Sequence, residues 1–344
     1  MKISNRNILI NLIDNQNIKP QNIPKALKEL QIIPTAKSWH NFIDKLLLWF
    51  GALSLAFAVL FFVAYNWSEL GRFGKFALVE GLLIISIGVY LFTTSGTDGF
   101  SLAFFGTLVP CTLFEKVSDS EELLSKVTLM VSSLLVGTLL ALVGQIYQTG
   151  ADSWELFFYW ALLILPWVFI SRFWAMWIFW IGLIDLSILL YMDTFSRHFL
   201  FYFLDFTPIL VMFMFNTTAL VIWEYFRGYL KWLDNSWGIG ILGIVSMITA
   251  TALAIDSTAL LPIWIVWLFM FYYFYRVRSI NIFMLSLAFS SLYIVILYYL
   301  IESISWRYFN LLNLFLVSIV GIGLGTAFLA WLKSIYKELS NESN

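Results

Sequence analysis

The chain has 344 residues, 61% of them hydrophobic and only 12% charged, with a net charge of -1. Its mean hydropathy is +0.85, and so small a charged share, about half that of soluble domains, excludes an ordinary water-soluble globule. The near-neutral balance, with basic residues in ones and twos, also excludes a stripe that could follow a phosphate backbone, so no nucleic-acid partner is expected.

The chain opens with a polar head, residues 1–45, carrying Lys2, Arg6, Lys19, Lys25, Lys28, Lys37 and Lys45 against Asp14, Glu29 and Asp44. Apolar residues at Ile8, Leu9, Ile10, Leu12 and Ile13 predict a short amphipathic helix. A second follows, with Pro24 placed for a helix start and Ile23, Ala26, Leu27, Leu30 and Ile33 roughly on one face. The expectation is a short cytoplasmic helical hairpin that caps the bundle; a docking surface for another protein is the alternative. The head is too polar for a secretory signal.

Residues 46–333 then read as a transmembrane helical domain, with a short polar tail over 334–344. A helix needs about 20 apolar residues to cross a bilayer. Candidate spans are 46–64, 75–94, 98–115, 127–149, 155–171, 173–191, 203–225, 236–255, 259–275, 280–300 and 309–332. The run 98–115, which contains Gly99, Gly106 and Pro110, is the weakest, and a run this short can be re-entrant or interfacial. If it does not cross and the head is inside, 16 basic residues lie inside against 4 outside. If all runs cross, the best division is 11 against 9. The rule that cytoplasmic loops are positive therefore favours ten spans with both termini cytoplasmic over eleven. The expected fold is an all-α, polytopic transmembrane bundle of about 10–11 hydrophobic helices. The tight joint at Arg172 predicts a helical hairpin between 155–171 and 173–191.

Three local patterns stand out: "GALSLAFAVLFFVAYNWSELGRFGKFAL" at 51–78, "GTLLALVGQIYQTGAD" at 137–152 and "WELFFYWALLILPW" at 154–167. Together with the polar helical head they resemble the bacterial membrane family known as domain of unknown function 2157. The positions that carry the resemblance are Ala64, Tyr65, Asn66, Trp67 and Lys75, then Gly144, Gln145, Ile146 and Tyr147, then Trp160, Ala161, Leu162, Leu163 and Pro166. It covers roughly residues 1–190. The resemblance implies an integral protein of the bacterial cytoplasmic membrane. It implies no reaction.

Polar residues inside spans are expensive and usually face protein or a water-filled cavity, so each is a candidate for function. Asp185, near the centre of its span with no basic neighbour in sequence, is the foremost. Glu80 lies early in the second span, which Lys75 opens; Arg72 could share its face. Asn66, between Tyr65 and Trp67, fits either an interfacial helix end or a ligand contact. Gln145 and Gln148, three residues apart on the helical reading, face one way beside Tyr147, with Asp152 beyond; bonding between helices or a polar cavity lining would satisfy them. Glu224 and Arg227 predict an ion pair at a helix end. Asn216 is placed to bond across helices, and Asp256 to cap the helix that follows it. The close glycines at 238–243 and 321–325 predict helix packing through small residues.

No HExxH metal motif, GxxxxGK phosphate loop or nucleophile elbow occurs. The two histidines, His40 and His198, stand apart, and the lone cysteine, Cys111, reads as a small apolar side chain. No metal or cofactor is expected. The expected partners are membrane lipids, another membrane protein, or an unidentified small solute or ion. Three functions compete. One is a structural, sensory or protein-interaction component of the membrane. The second is a transporter or permease-like protein using the intramembrane acids and amides. The third, least favoured, is an intramembrane enzyme. A connected polar cavity joining Asp185, Glu80 and Gln145 would favour transport. A solid bundle with a small-residue groove would favour interaction.

Overall fold

A computed structural model describes residues 13, 20–29, 36–65, 69, 71–94, 119–148, 150–195, 208–304 and 311–342. A 3-10 turn, Pro20–Asn22, leads into the short helix α1 (Ile23–Glu29). Then come α2 (Ala36–Tyr65), α3 (Arg72–Thr94), α4 (Asp119–Tyr147), α5 (Ser153–Ser171) and α6 (Trp174–Phe195). After these come α7 (Pro208–Arg227), α8 (Ser236–Asp256), α9 (Leu261–Tyr273), α10 (Ile282–Ser303) and α11 (Leu311–Glu342). Among the described residues there is no strand. Nine of these stretches are long and apolar enough to cross a bilayer, and α2 carries the apolar run 46–64 in its C-terminal part. The chain is a polytopic helical membrane protein. The predicted first helix of the head and the run 98–115 lie outside the described residues, apart from Ile13.

Local chemistry sets the helix ends. Asn281 caps α10, its side chain accepting from the amides of Phe283 and Met284 at 3.0 and 3.3 Å. Pro262 sits in the first turn of α9, where its missing N–H costs nothing. Asp256 is the last residue of α8, and the cap of the next turn is Ser257, whose hydroxyl accepts from the Ala259 amide. The cap is therefore one residue later than the sequence suggests. The α9 helix widens into a π-helical turn, Phe274–Arg278, in which the Ser279 amide reaches back to the Phe274 carbonyl.

The described structure divides into two compact units. The first comprises residues 41–212 and 223–238. Within it α3 and α4 pack antiparallel. Phe76 near the start of α3 meets Tyr147 at the end of α4, with ring centroids 6.0 Å apart. Further along, the hydroxyls of Ser86 and Ser132 lie 2.8 Å apart and both reach the Thr128 carbonyl. Val79, Leu135 and Leu142 fill the seam between these contacts. The chain thus returns to α4 at the end of the pair where it left α3.

Arg172 joins α5 to α6 in the left-handed conformation, φ 44° and ψ 41°, a position usually given to glycine. The predicted hairpin follows from this turn. Its core holds Ile164, Val168 and Met176. Two indoles donate across the helices: Trp160 to the Ser133 carbonyl at 2.7 Å and Trp180 to the Ala161 carbonyl at 3.0 Å. The Glu224–Arg227 pair is present at 3.6 Å, but Arg227 makes a closer one with Asp234 at 2.9 Å.

The second unit comprises residues 1–40, 213–222 and 239–344. Here α8 is the buried helix. Gly243 faces Met284 so closely that an added Cβ would lie 2.5 Å from its sulfur, so the small residue is what lets α10 approach. Ser291 Oγ of α10 accepts from the Trp264 indole at 3.0 Å and lies 2.7 Å from Thr251 Oγ1 of α8. The Tyr299 hydroxyl donates to the Ala254 carbonyl. Phe289 and Phe328 stack α10 on α11 at 3.8 Å, and Gly321 packs near Tyr293, whereas Gly323 and Gly325 face open space. Arg276 pairs with Glu338.

Candidate functional site

The three recognised sequence patterns come together in α3, α4 and α5. The first two meet through Phe76 and Tyr147. The second and third meet at Gly137, where an added Cβ would lie 2.3 Å from the Trp160 indole. The candidate residues of these patterns gather at one end of this three-helix group. Lys75 is buried and engaged there, in the first turn of α3. Tyr147 ends α4 with its side chain exposed. Gln148 follows with φ 45°. It has left the helix, so it does not share a helical face with Gln145 as the spacing suggested. Both amides are exposed. Asp152 precedes α5 with extended backbone, and its carbonyl, not its carboxylate, accepts from the Glu155 amide.

Asp185 is half-buried in α6 and engaged by its surroundings. Its depth follows from register. Two residues later, the Ser187 hydroxyl donates to the Trp154 carbonyl at 3.2 Å, and Tyr191 packs edge-on against the Trp154 ring. Asp185 therefore stands level with the first turn of α5, nearer the polar end than its central place in α6 implies. Glu80 is exposed on α3 and makes no ion pair with any described residue; Arg72 does not meet it. Asn66, Cys111 and His198 lie outside the described residues, and His40 is exposed on α2. Among the described residues no group of three or more His, Cys, Asp or Glu could hold a metal ion. Asn216 is fully buried in α7 and engaged.

Two cavities among the described residues are lined by none of Asp185, Glu80 or Gln145. One, of about 500 Å³, lies between α7 and α9 against Phe213, Thr217, Pro262 and Trp267. The other, of about 360 Å³, is a groove between α2, α3 and α4, with Gly51, Ala52, Ser86 and Thr128 among otherwise aliphatic walls. The sequence signal for this groove was present but dispersed: small residues on separate helices that only the packing aligns.

Residues 11–177 match the family model described as predicted membrane protein (DUF2157). No curated protein and no solved structure matches the chain. The matched segment, just under half of the chain, contains all three recognised patterns and the polar end they build; over it the chain is similar to the DUF2157 family of predicted membrane proteins.

Proposed function

We propose that this protein is a structural, sensory or protein-interaction component of the cytoplasmic membrane, not a transporter. The observation that carries this reading is where the polar groups are spent. Hydroxyls and indoles at membrane depth bond neighbouring helices, as in Ser86–Ser132 and Thr251–Ser291–Trp264. The amides Gln145 and Gln148 sit exposed at a helix end. The cavities are bordered mainly by aliphatic and aromatic side chains. Transport needs polar contacts along a path through the membrane, and among the described residues these side chains line neither cavity. Their gathering at the end of α3, α4 and α5 suits contact with a partner or a signal at the membrane surface.

The same reading places both termini in the cytoplasm. The antiparallel α3–α4 pair supports it, because a single crossing between those helices would make them parallel. With α2 and the nine other apolar stretches as spans, the number of crossings is even.

Cysteine accessibility tests the proposal. In a Cys111→Ser background, single cysteines replace Asp185, Glu80, Gln145 and Gly51, and a membrane-impermeant thiol reagent is applied from each side. The expected result is labelling at Gln145 from one side only and none at Asp185 or Gly51. Labelling of Asp185 from both sides would mark a water path and replace this reading with transport.

A further inference from the structure

The groove of about 500 Å³ between α7 and α9 is lined by hydrogen-bonding groups that the protein itself does not use. Elsewhere in the spans such groups are spent. Thr128, Thr138, Thr249 and Thr251 each bond a carbonyl one turn back in their own helix. The indoles of Trp160, Trp180 and Trp264 each donate to a neighbouring helix. In the groove, the Thr217 hydroxyl is buried without a partner, and no described residue bonds the Thr218 hydroxyl or the Trp267 indole N–H. All three residues line it. They stand near the middle of their spans, 209–227 and 258–278, well below the interfacial belt where an indole meets water.

The packing sets the spacing of these groups. Phe213 meets Trp267 edge to face, with centroids 5.7 Å apart. Thr217 and Thr218 lie about one turn further along α7, roughly 5.4 Å. Trp267 and Thr218 are therefore two donors about one turn apart along the groove.

These features define the ligand. It is neutral, because no charged side chain lines the groove. It accepts hydrogen bonds, because an indole only donates. It carries a flat apolar body to fit beside the two rings. It also enters from lipid, toward which Met214, Val266 and Met270 are exposed. A phospholipid fails on depth, since its polar groups stay outside a hydrocarbon core about 30 Å thick. A para-quinone meets every condition, with one carbonyl oxygen at each end of a flat uncharged ring and an apolar tail.

We infer that the groove binds a lipid-soluble isoprenoid para-quinone, its ring beside Trp267, one carbonyl accepting from the Trp267 indole N–H and the other from the Thr218 hydroxyl. The tail leaves the groove between the exposed rims of α7 and α9. The inference goes beyond the proposed function and does not depend on it.

The test uses the full chain in phosphatidylcholine nanodiscs, in a Cys111→Ser background that removes the one thiol a quinone could add to. The probe is an azido-benzoquinone with a decyl tail, and crosslinks are mapped by mass spectrometry. Saturable crosslinks are expected on the groove residues of α7 and α9, displaced by unlabelled decyl-benzoquinone. A decyl phenyl azide, which keeps the ring and lacks the carbonyls, should label the groove several-fold less. Thr218→Val with Trp267→Phe keeps the shape, removes both donors and should weaken quinone labelling several-fold. Val266→Trp should block it, while Ile265→Trp, exposed on another face of α9, should label like the parent. Equal labelling by the phenyl azide, or a double variant that labels like the parent, would overturn the site. Crosslinks spread evenly over the exposed helices would do the same. So would a disulfide between two copies carrying Val266→Cys that excludes the probe, by giving the groove a protein occupant.

Discussion

The Trp160 indole occupies the space a side chain at Gly137 would need: an added Cβ would stand 2.3 Å from the ring, while the indole N–H donates to the Ser133 carbonyl one turn away at 2.7 Å. One aromatic residue thus uses both the missing side chain and a backbone acceptor of the facing helix. Gly137→Leu must displace the indole, and forced overpacking costs about 1–3 kcal/mol. Trp160→Phe keeps most of the packing and loses the hydrogen bond, about 1 kcal/mol. Thermal unfolding in mild detergent should rank Gly137→Leu below Trp160→Phe and both below the parent. Equal stability of all three would mean that this contact does not hold α4 to α5.

Ser291 ties three helices through Thr251 and Trp264. Hydrogen bonds between membrane helices average about 0.6 kcal/mol and reach about 1.7. Ser291→Ala should cost about 1 kcal/mol. Because both partners use the same oxygen, the double variant with Trp264→Phe should cost less than the sum of the singles. Strict additivity in a double-mutant cycle would show that the indole and Ser291 act independently.

The left-handed backbone at Arg172 costs an L-residue roughly 1–2 kcal/mol, offset in part by a cation at the C-terminus of α5, worth about 0.3–1 kcal/mol. Arg172→Gly should therefore leave unfolding stability equal or raise it by about 1 kcal/mol. A clear loss of stability would mean that contacts of the guanidinium outweigh the strain.

Phe76 and Tyr147 have ring centroids 6.0 Å apart, close enough for a short bis-methanethiosulfonate to join cysteines at these positions, each thiol displacing methanesulfinate. In a Cys111→Ser background, Phe76→Cys with Tyr147→Cys should crosslink within one chain. Reporter fusions at Met1 and Asn344 should both read cytoplasm. Reporters on opposite sides, or a pair that never joins, would restore a full crossing between α3 and α4.

Helix identity was legible because long apolar runs and their polar joints are local features, and Arg172 marked a hairpin because it alone separates two such runs. Contacts between helices were less so. Gly137 and Trp160 lie in separate patterns, and nothing in either fixes which face meets the other. Gln148 read as helical by spacing, yet the helix ends at Tyr147 and the next residue turns left-handed. Asp185 sits midway along its own helix, but its depth is set by the offset of α6 against α5, which only the Ser187–Trp154 bond reveals. Glu80 and Arg72 could share a face by arithmetic, and the packing leaves Glu80 exposed without bringing them together.

Ser132 and Ser133 are adjacent, yet Ser132 bonds toward α3 and the Ser133 carbonyl receives an indole from α5. On a helix, neighbouring residues point about 100° apart, so one step of chain fastens α4 on two sides at one height. Axial sliding of α4 against either neighbour strains a polar bond with little water available to replace it. The three helices therefore behave mechanically as a single plate with a rivet at its middle. A push on the first turn of α3, where Lys75 is buried, is carried sideways to α5 as motion of the whole plate rather than absorbed as slippage between its members.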